Sequence, residues 1–311
     1  MKLSRTAMKN SYTRALPDNF GGLPPESSTY EDSRAVIFPV PLERTTTYMT
    51  GTRNGPAAIL AASRNMELYD EELGSEPYHH FGIATLAGID TQEGTLEHVM
   101  DEIRRTERAL LDDGKFPLAL GGEHSLTGPL VAAAHEKFPD LTVLQIDAHA
   151  DLRDAYQGNP LSHASVMRRV VELCPAVQVG IRSLSVEEAE AIPSLPVRVH
   201  WGKDIARRPV ESWAPDVIAG LGRHVYLTVD LDGFDPAFVP ATGTPEPGGL
   251  DWHQVTGLIR AVAAARTIVA ADVVELLPQP GDHASDFLAA KLVYKILAYV
   301  LASASGPRTS V

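Results

Sequence analysis

Asp147, His149 and Asp151 stand at every second position directly after an apolar run at 141–146, with Asp154 close behind. A buried strand that ends this way must be compensated, because desolvating a polar group costs roughly 2–7 kcal/mol and a charge more. The arrangement therefore reads as a strand carrying metal ligands on its C-terminal tip. Three further apolar runs end in the same kind of residue. GGEH at 121–124 follows 116–120, Asp230 and Asp232 close 224–231, and Glu275 closes 267–276. Six candidate ligands result: His124, Asp147, His149, Asp151, Asp230 and Asp232. Four carboxylates and two imidazoles without a thiolate suit a harder divalent ion such as manganese better than a structural zinc. Six ligands exceed the needs of one tetrahedral centre, and shared carboxylates can bridge two ions about 3.5–4 Å apart, where both polarise one water. The chemistry expected is metal-assisted hydrolysis with water as nucleophile.

Such residues must be brought to one edge, and the remaining elements supply it. Continuous Val/Ile/Leu runs alternate with helical patterns, which predicts an α/β fold with a mostly parallel sheet covered on both faces. Strands are expected at 34–39, 116–120, 141–146, 177–181, 197–200, 224–231 and 267–276. Helices are expected at 56–65, 94–113, 125–137, 164–173, 186–192, 252–265 and 284–301. Ser125 is a plausible N-cap for the third of these. In a parallel sheet all strand C-termini share one edge, where ligands bind in open α/β folds. The Pro/Gly/Ser-rich stretch 16–33 predicts an extended arm or lid. No repeat and no linker divides the chain after Ser33, so residues 1–33 are expected to form an N-terminal arm and 34–311 a single catalytic domain.

The 311 residues are 44% hydrophobic and 22% charged, which is ordinary globular composition. A net charge of −13 without a dense basic cluster argues against nucleic acid and suits a cationic substrate. A single cysteine excludes an intrachain disulfide framework, and no apolar run approaches the roughly 18 residues of a membrane span, so no membrane partner is expected and the chain reads as cytoplasmic. The acid-free start with Lys2, Arg5, Lys9 and Arg14 also suits a transit peptide, a lesser reading.

GGEHS at 121–125, DAHADLRD at 147–154, SHAS at 162–165 and TVDLDGFDPAFVPATGTPEPGGL at 228–250 together resemble the ureohydrolases, the family of arginase and agmatinase. The likeness runs from about Val36 and includes GTRNGP at 51–56 and VVELLP at 273–278. It implies a three-layer α/β/α sandwich of the arginase type and two Mn2+ per subunit. His124, Asp147, Asp151 and Asp230 would hold one ion and Asp147, His149, Asp230 and Asp232 the other, with Asp147 and Asp230 bridging. His163 is similar in position to the family's proton-shuttling histidine and Glu275 to the carboxylate that clamps the guanidinium; with Asp151 these form the implied catalytic set. A planar guanidinium pairs with a carboxylate through two charge-assisted hydrogen bonds, so Glu275 also makes chemical sense by itself.

The loop LRDAYQGNPLSH resembles the agmatinase pattern more than that of arginase, which implies hydrolysis of agmatine to putrescine and urea by a trimeric or hexameric enzyme. Asp154 or Glu246 is the acid expected to meet the substrate's ammonium tail. Leu277 and Ala164 depart from the family's usual Asn and Gly. Arginine, guanidinobutyrate, free guanidine and aminopropylagmatine are the alternative substrates; a non-catalytic metal-binding relative and a one-zinc deacetylase on a similar fold are the rival readings.

Overall fold

In the computed structural model, which describes residues 18–302, the apolar runs become eight strands: β1 Ala35–Val40, β2 Ile83–Thr85, β3 Phe116–Gly121, β4 Leu141–Ile146, β5 Ala176–Ile181, β6 Val197–Trp201, β7 His224–Asp230 and β8 Thr267–Val274. They form one sheet in the order β2-β1-β3-β8-β7-β4-β5-β6, and every pairing is parallel. The interior strands bury both faces, which is why their runs lack polar alternation, whereas the edge strand β6, with Arg198 exposed, keeps it. In β1, Ala35 and Ile37 enter one core cluster while Val36, Phe38 and Val40 enter the other.

Ten helices are described: α1 Gly55–Ser63, α2 Tyr78–Phe81, α3 Leu96–Asp112, α4 Thr127–Lys137, α5 Val166–Val171, α6 Val186–Ala191, α7 Gly202–Ile205, α8 Ala214–Ala219, α9 Trp252–Ala265 and α10 Ala284–Ala302. Helices α1, α8, α9 and α10 pack on one face of the sheet through residues such as Ile59, Val217, Leu258 and Leu292. Helices α3, α4 and α5 cover the other through Ile103, Val131 and Val170. This is the expected three-layer α/β/α sandwich. Strand β2 and helices α2, α7 and α8 were not expected; at three to six residues they are too short to show a period. No helix among the described residues is long and apolar enough to cross a membrane.

Residues 18–33 do not act as a lid. Phe20 and Leu23 are buried in the core, the Phe20 amide donates to Thr85 Oγ1 at 3.0 Å, and the Gly21 amide donates to Ser63 Oγ at 2.9 Å. The segment is thus stitched to β2 and α1. The basic residues expected to start the arm lie outside the described residues.

Helix α3 follows its sequence signals closely. Thr95 caps it by accepting from the His98 amide, Val99, Ile103 and Leu110 face the sheet, and Gly114, at φ 72°, ends it in the left-handed region. The buried face also contains Glu107, 1% exposed. Burial, with the Asp272 charge nearby, pushes the Glu107 carboxyl well above the usual range. Between the ordinary carboxyl pKa and that raised value the folded chain holds a proton that the unfolded chain has lost. Stability from this group therefore falls as pH rises, by about 1.4 kcal/mol per pH unit. Glu107→Gln removes the titration. Urea-unfolding midpoints should show the variant gaining steadily on the parent from pH 5 to pH 8; a constant difference would place Glu107 in its ordinary range.

Candidate metal centre and its cleft

The C-terminal ends of β3, β4, β7 and β8 open into a cleft of about 250 Å³. Asp147 follows β4 directly and is wholly buried. Its Oδ1 accepts the His149 amide at 2.6 Å and its Oδ2 accepts Gln145 Nε2 at 2.6 Å. Gln145 is two positions back on the same strand and therefore on the same side. Gln178 of β5 donates in turn to Gln145 Oε1 at 2.6 Å, so a chain of side-chain amides sets the carboxylate's orientation.

Two groups of candidate ligands share Asp147: His124, Asp147 and Asp151 form one, and Asp147, His149 and Asp232 the other. His124 Nδ1 lies 3.1 Å from Asp147 Oδ2, 3.1 Å from Asp151 Oδ2 and 3.4 Å from Asp230 Oδ2. His149 Nδ1 lies 2.9 Å from Asp232 Oδ2. All six expected ligands thus converge. Asp151 reaches the cluster from a left-handed backbone, φ 53°, which a non-glycine residue adopts only under constraint from its surroundings.

The outer hydrogen bonds decide which nitrogen of His124 faces the carboxylates. Its Nε2 lies 2.9 Å from Thr228 Oγ1, and Thr228 donates to Asp272 Oδ1 at 2.6 Å. Thr127 and Tyr226 donate to the other oxygen of the same buried Asp272. With the Thr228 proton committed to Asp272, Nε2–H donates to Thr228 and Nδ1 is left facing the acids. That buried Nδ1 has no hydrogen-bond partner. A carboxylate–hydroxyl–imidazole chain behind a nitrogen aimed at buried acids is the pattern of a metal-binding histidine.

Electrostatics point the same way. Burial raises the Asp151 carboxyl to about 7, with the Asp147 charge adding to it, and raises Asp230 well above its usual range, helped by Asp232 and Asp147. Burial alone would lower the two imidazoles, but the surrounding carboxylates outweigh it and raise both. Protons thus hold together a cluster whose acids repel one another, and divalent cations can replace them. The donor set, all O and N, fits such cations.

Glu275 follows β8 with φ 65°, again in the left-handed region. Its amide donates to the Gly122 carbonyl at 2.8 Å and its Oε1 accepts the His124 amide at 2.7 Å. Burial, with the charge of Glu123, pushes its carboxyl up to about 8. Gly122 is required here: a Cβ on it would fall 2.0 Å from the Leu42 carbonyl oxygen, so the GGEH turn needs close backbone approach. His163 opens the 3-10 turn His163–Ser165 and lines the same cleft. Burial lowers its pKa below the usual histidine value.

Neither acid expected at the substrate tail reaches the cleft. Asp154 is an exposed side chain paired with Arg169 at 2.8 Å, and Glu246 lies outside the cleft lining, its carbonyl accepting from Arg182 at 2.8 Å. Loop residues leave side-chain direction open, which is where the expectation failed. The acid that does line the cleft outside the metal set and Glu275 is Glu188, with Oε1 accepting the Leu152 amide and Oε2 the Ser185 amide. Arg153, Tyr156, Tyr48 and Met49 also line it, the last two exposed. Ala164 is part of the lining, whereas Leu277 packs against Gly51. Ser125 does not cap α4; its hydroxyl donates to Glu123 Oε1 at 2.5 Å.

Several supporting residues escaped sequence reasoning. Arg182 donates to the carbonyls of Gly180, Asp232, Gly233, Phe234 and Glu246, clamping the loop that follows β7. Thr228 precedes Asp230 by two positions, as Gln145 precedes Asp147, so the strand period was the available signal for both. Asp272 and Arg182 had no comparable signal.

A family model described as the Arginase family matches residues 33–299. The N(1)-aminopropylagmatine ureohydrolase of Synechocystis sp. is 40% identical over 279 residues, covering 88% of this chain and 90% of that protein. The agmatinase of Bacillus anthracis is 37% identical over 258 residues, covering 80% and 86%. The crystal structure of the agmatine ureohydrolase of Thermoplasma volcanium superposes with a TM-score of 0.83 at 32% identity, covering 93% of this chain and 96% of that one.

Proposed function

This chain belongs to the arginase family, and on that premise we propose that it is a metal-dependent ureohydrolase that cleaves agmatine to putrescine and urea, a step of polyamine formation. The observation that carries the reading is the shared-carboxylate cluster, with His124 Nδ1 facing its acids, in one cleft with Glu275 and His163. In this reading His124, Asp147, His149, Asp151, Asp230 and Asp232 would hold two cations, with Asp147 and Asp230 as the shared ligands, and four carboxylates with two imidazoles favour manganese. When bound, such a pair of divalent cations supplies a polarised water of lowered pKa for attack on the guanidino carbon.

The protein's own groups do the rest. Glu275, anchored through Oε1, keeps Oε2 for the guanidinium and fixes its plane. Asp151, besides holding a cation, presents its buried carboxylate beside the attacked carbon. His163 carries a proton to the departing amine, and burial, which lowers its pKa, makes the protonated ring the readier donor. With Asp154 and Glu246 out of reach, the cationic tail meets the exposed Tyr48 at the rim, which can hold an ammonium over its ring face. Assembly as a trimer or hexamer and a cytoplasmic location belong to the same proposal and rest on the family resemblance.

A second substrate, N(1)-aminopropylagmatine, is favoured by the names of the relatives in Synechocystis and Thermus thermophilus, at 40% and 38% identity. The exposed Tyr48 and Met49 at the rim leave room for its longer tail. Urea release by the manganese-loaded protein from agmatine, aminopropylagmatine, arginine, guanidinobutyrate and guanidine tests both. The largest kcat/KM is expected for agmatine; a larger value for aminopropylagmatine selects the second reading, and no urea from any of them would falsify both.

A further inference from the structure

Thr45 does not line the cleft, yet its hydroxyl occupies the junction between a buried carboxylate and the His163 ring. Thr45 Oγ1 lies 2.9 Å from Glu123 Oε1, 3.0 Å from the His163 amide nitrogen and 3.2 Å from His163 Nδ1. A hydroxyl has one proton and two acceptor positions, and a carboxylate only accepts. The Thr45 proton therefore goes to Glu123, where the charge-assisted bond is the strongest on offer. The His163 amide fills one acceptor position. What remains for Nδ1 is the other, and a nitrogen facing an acceptor must carry its own proton. Ser162 Oγ, the competing partner, is farther from Nδ1 at 3.4 Å.

Glu123 is built for this duty. It is fully buried, and its Oε2 accepts the backbone amides of Arg44, Thr45 and Thr46 at 2.8, 2.7 and 3.2 Å. Oε1 takes the hydroxyls of Thr45 and Ser125. The same carboxylate thus places the Thr45 backbone and spends the Thr45 proton. The His163 and Tyr156 rings meet in a T-shaped contact at 5.9 Å between centroids.

We propose that Thr45, held by Glu123, is a positioning residue that fixes His163 in the Nδ1–H tautomer and leaves Nε2 as the bare nitrogen turned to the cleft. This rests on the reading of His163 as the proton carrier. Proton transfer to a leaving amine then begins and ends at one defined atom, Nε2, with the ring neutral between turnovers.

Two measurements on the full-length chain test it. In zinc-loaded protein labelled with 15N in its histidine rings, with the His163 signals assigned by their loss in His163→Ala, Nδ1 should resonate as protonated and Nε2 as bare. Thr45→Val, which keeps the shape and removes the hydroxyl, should mix or invert the two tautomers. In manganese-loaded protein turning over agmatine, Thr45→Val should lower kcat by roughly 10–100-fold, the usual effect of removing an outer hydrogen bond. KM should stay within about threefold, because binding is not what is lost. Thr45→Ser should restore both tautomer and kcat, and Thr45→Val should cost nothing further in a His163→Ala background. An unchanged tautomer in Thr45→Val overturns the proposal whatever happens to kcat. Full kcat in His163→Ala would instead sink the proton-carrier reading, and the tautomer would still decide the role of Thr45.

Discussion

Asp230→Asn should make the metal-free protein more stable and the metal-loaded protein less active, two changes of opposite sign from one atom. In the parent, Asp230 Oδ1 accepts the Asp232 amide at 2.8 Å while Oδ2 faces His124 Nδ1 at 3.4 Å. Asparagine can keep the first contact, so the local backbone should survive. It removes a carboxyl that is raised well above its usual range because burial and the charges of Asp232 and Asp147 oppose its ionisation. Relief of that repulsion should raise the melting temperature of chelator-treated protein by about 2–4 °C for each kcal/mol gained.

The same change takes a charge from the group that would hold both cations. A ligand at about a thousand times its dissociation constant stabilises the folded state by roughly 4.1 kcal/mol per site, so parent protein should melt distinctly higher in manganese than in chelator. The variant should lose most of that increment and at least about a hundredfold in urea release, more than an outer-sphere change produces. A parent-like rise in melting temperature with manganese would show that Asp230 holds no cation.

The strand-end acids could be read from the chain because a parallel sheet turns a pattern along the sequence into a place in space. Four apolar runs each closed on His, Asp or Glu, and parallel pairing puts those ends on one edge, where the contiguous order β3-β8-β7-β4 brings them together. The loops obey no such rule. Asp154 sits only three residues from Asp151, yet one turn of backbone sends it to Arg169 on the surface. Glu123 is the converse case: one position before a ligand, it lies in the GGEHS motif and still showed no role, because its partners Arg44, Thr45 and Thr46 come from a loop almost eighty residues earlier. Glu107 escaped for another reason. Helical periodicity treats an acid among apolar positions as a solvent-facing exception, whereas α3 buries it. The left-handed backbones of Asp151 and Glu275 carry little sequence signal either, since glutamate is not favoured there and aspartate only somewhat more than most residues.

That strained position makes Glu275 the second sharp test. Its backbone is tied to Gly122 and its Oε1 to the His124 amide, so the side chain enters the cleft already oriented and loses little freedom on meeting a substrate. Glu275→Gln keeps the volume, the backbone tie and an oxygen for His124, but removes the charge and turns an NH2 donor toward the guanidinium. Leaving a buried cationic partner uncompensated costs about 3–5 kcal/mol, which corresponds to roughly 150- to 5,000-fold in kcat/KM. Because the clamp acts on the substrate already in the bound state, much of the loss should fall on KM, with kcat following as far as misorientation weakens attack. The rise in melting temperature that manganese gives over chelator should match that of the parent, which separates this variant from Asp230→Asn: one loses the substrate and keeps the cations, the other loses the cations first. A Glu275→Gln protein with kcat/KM within about threefold of the parent would free the guanidinium from this carboxylate and send the search for its clamp elsewhere in the cleft.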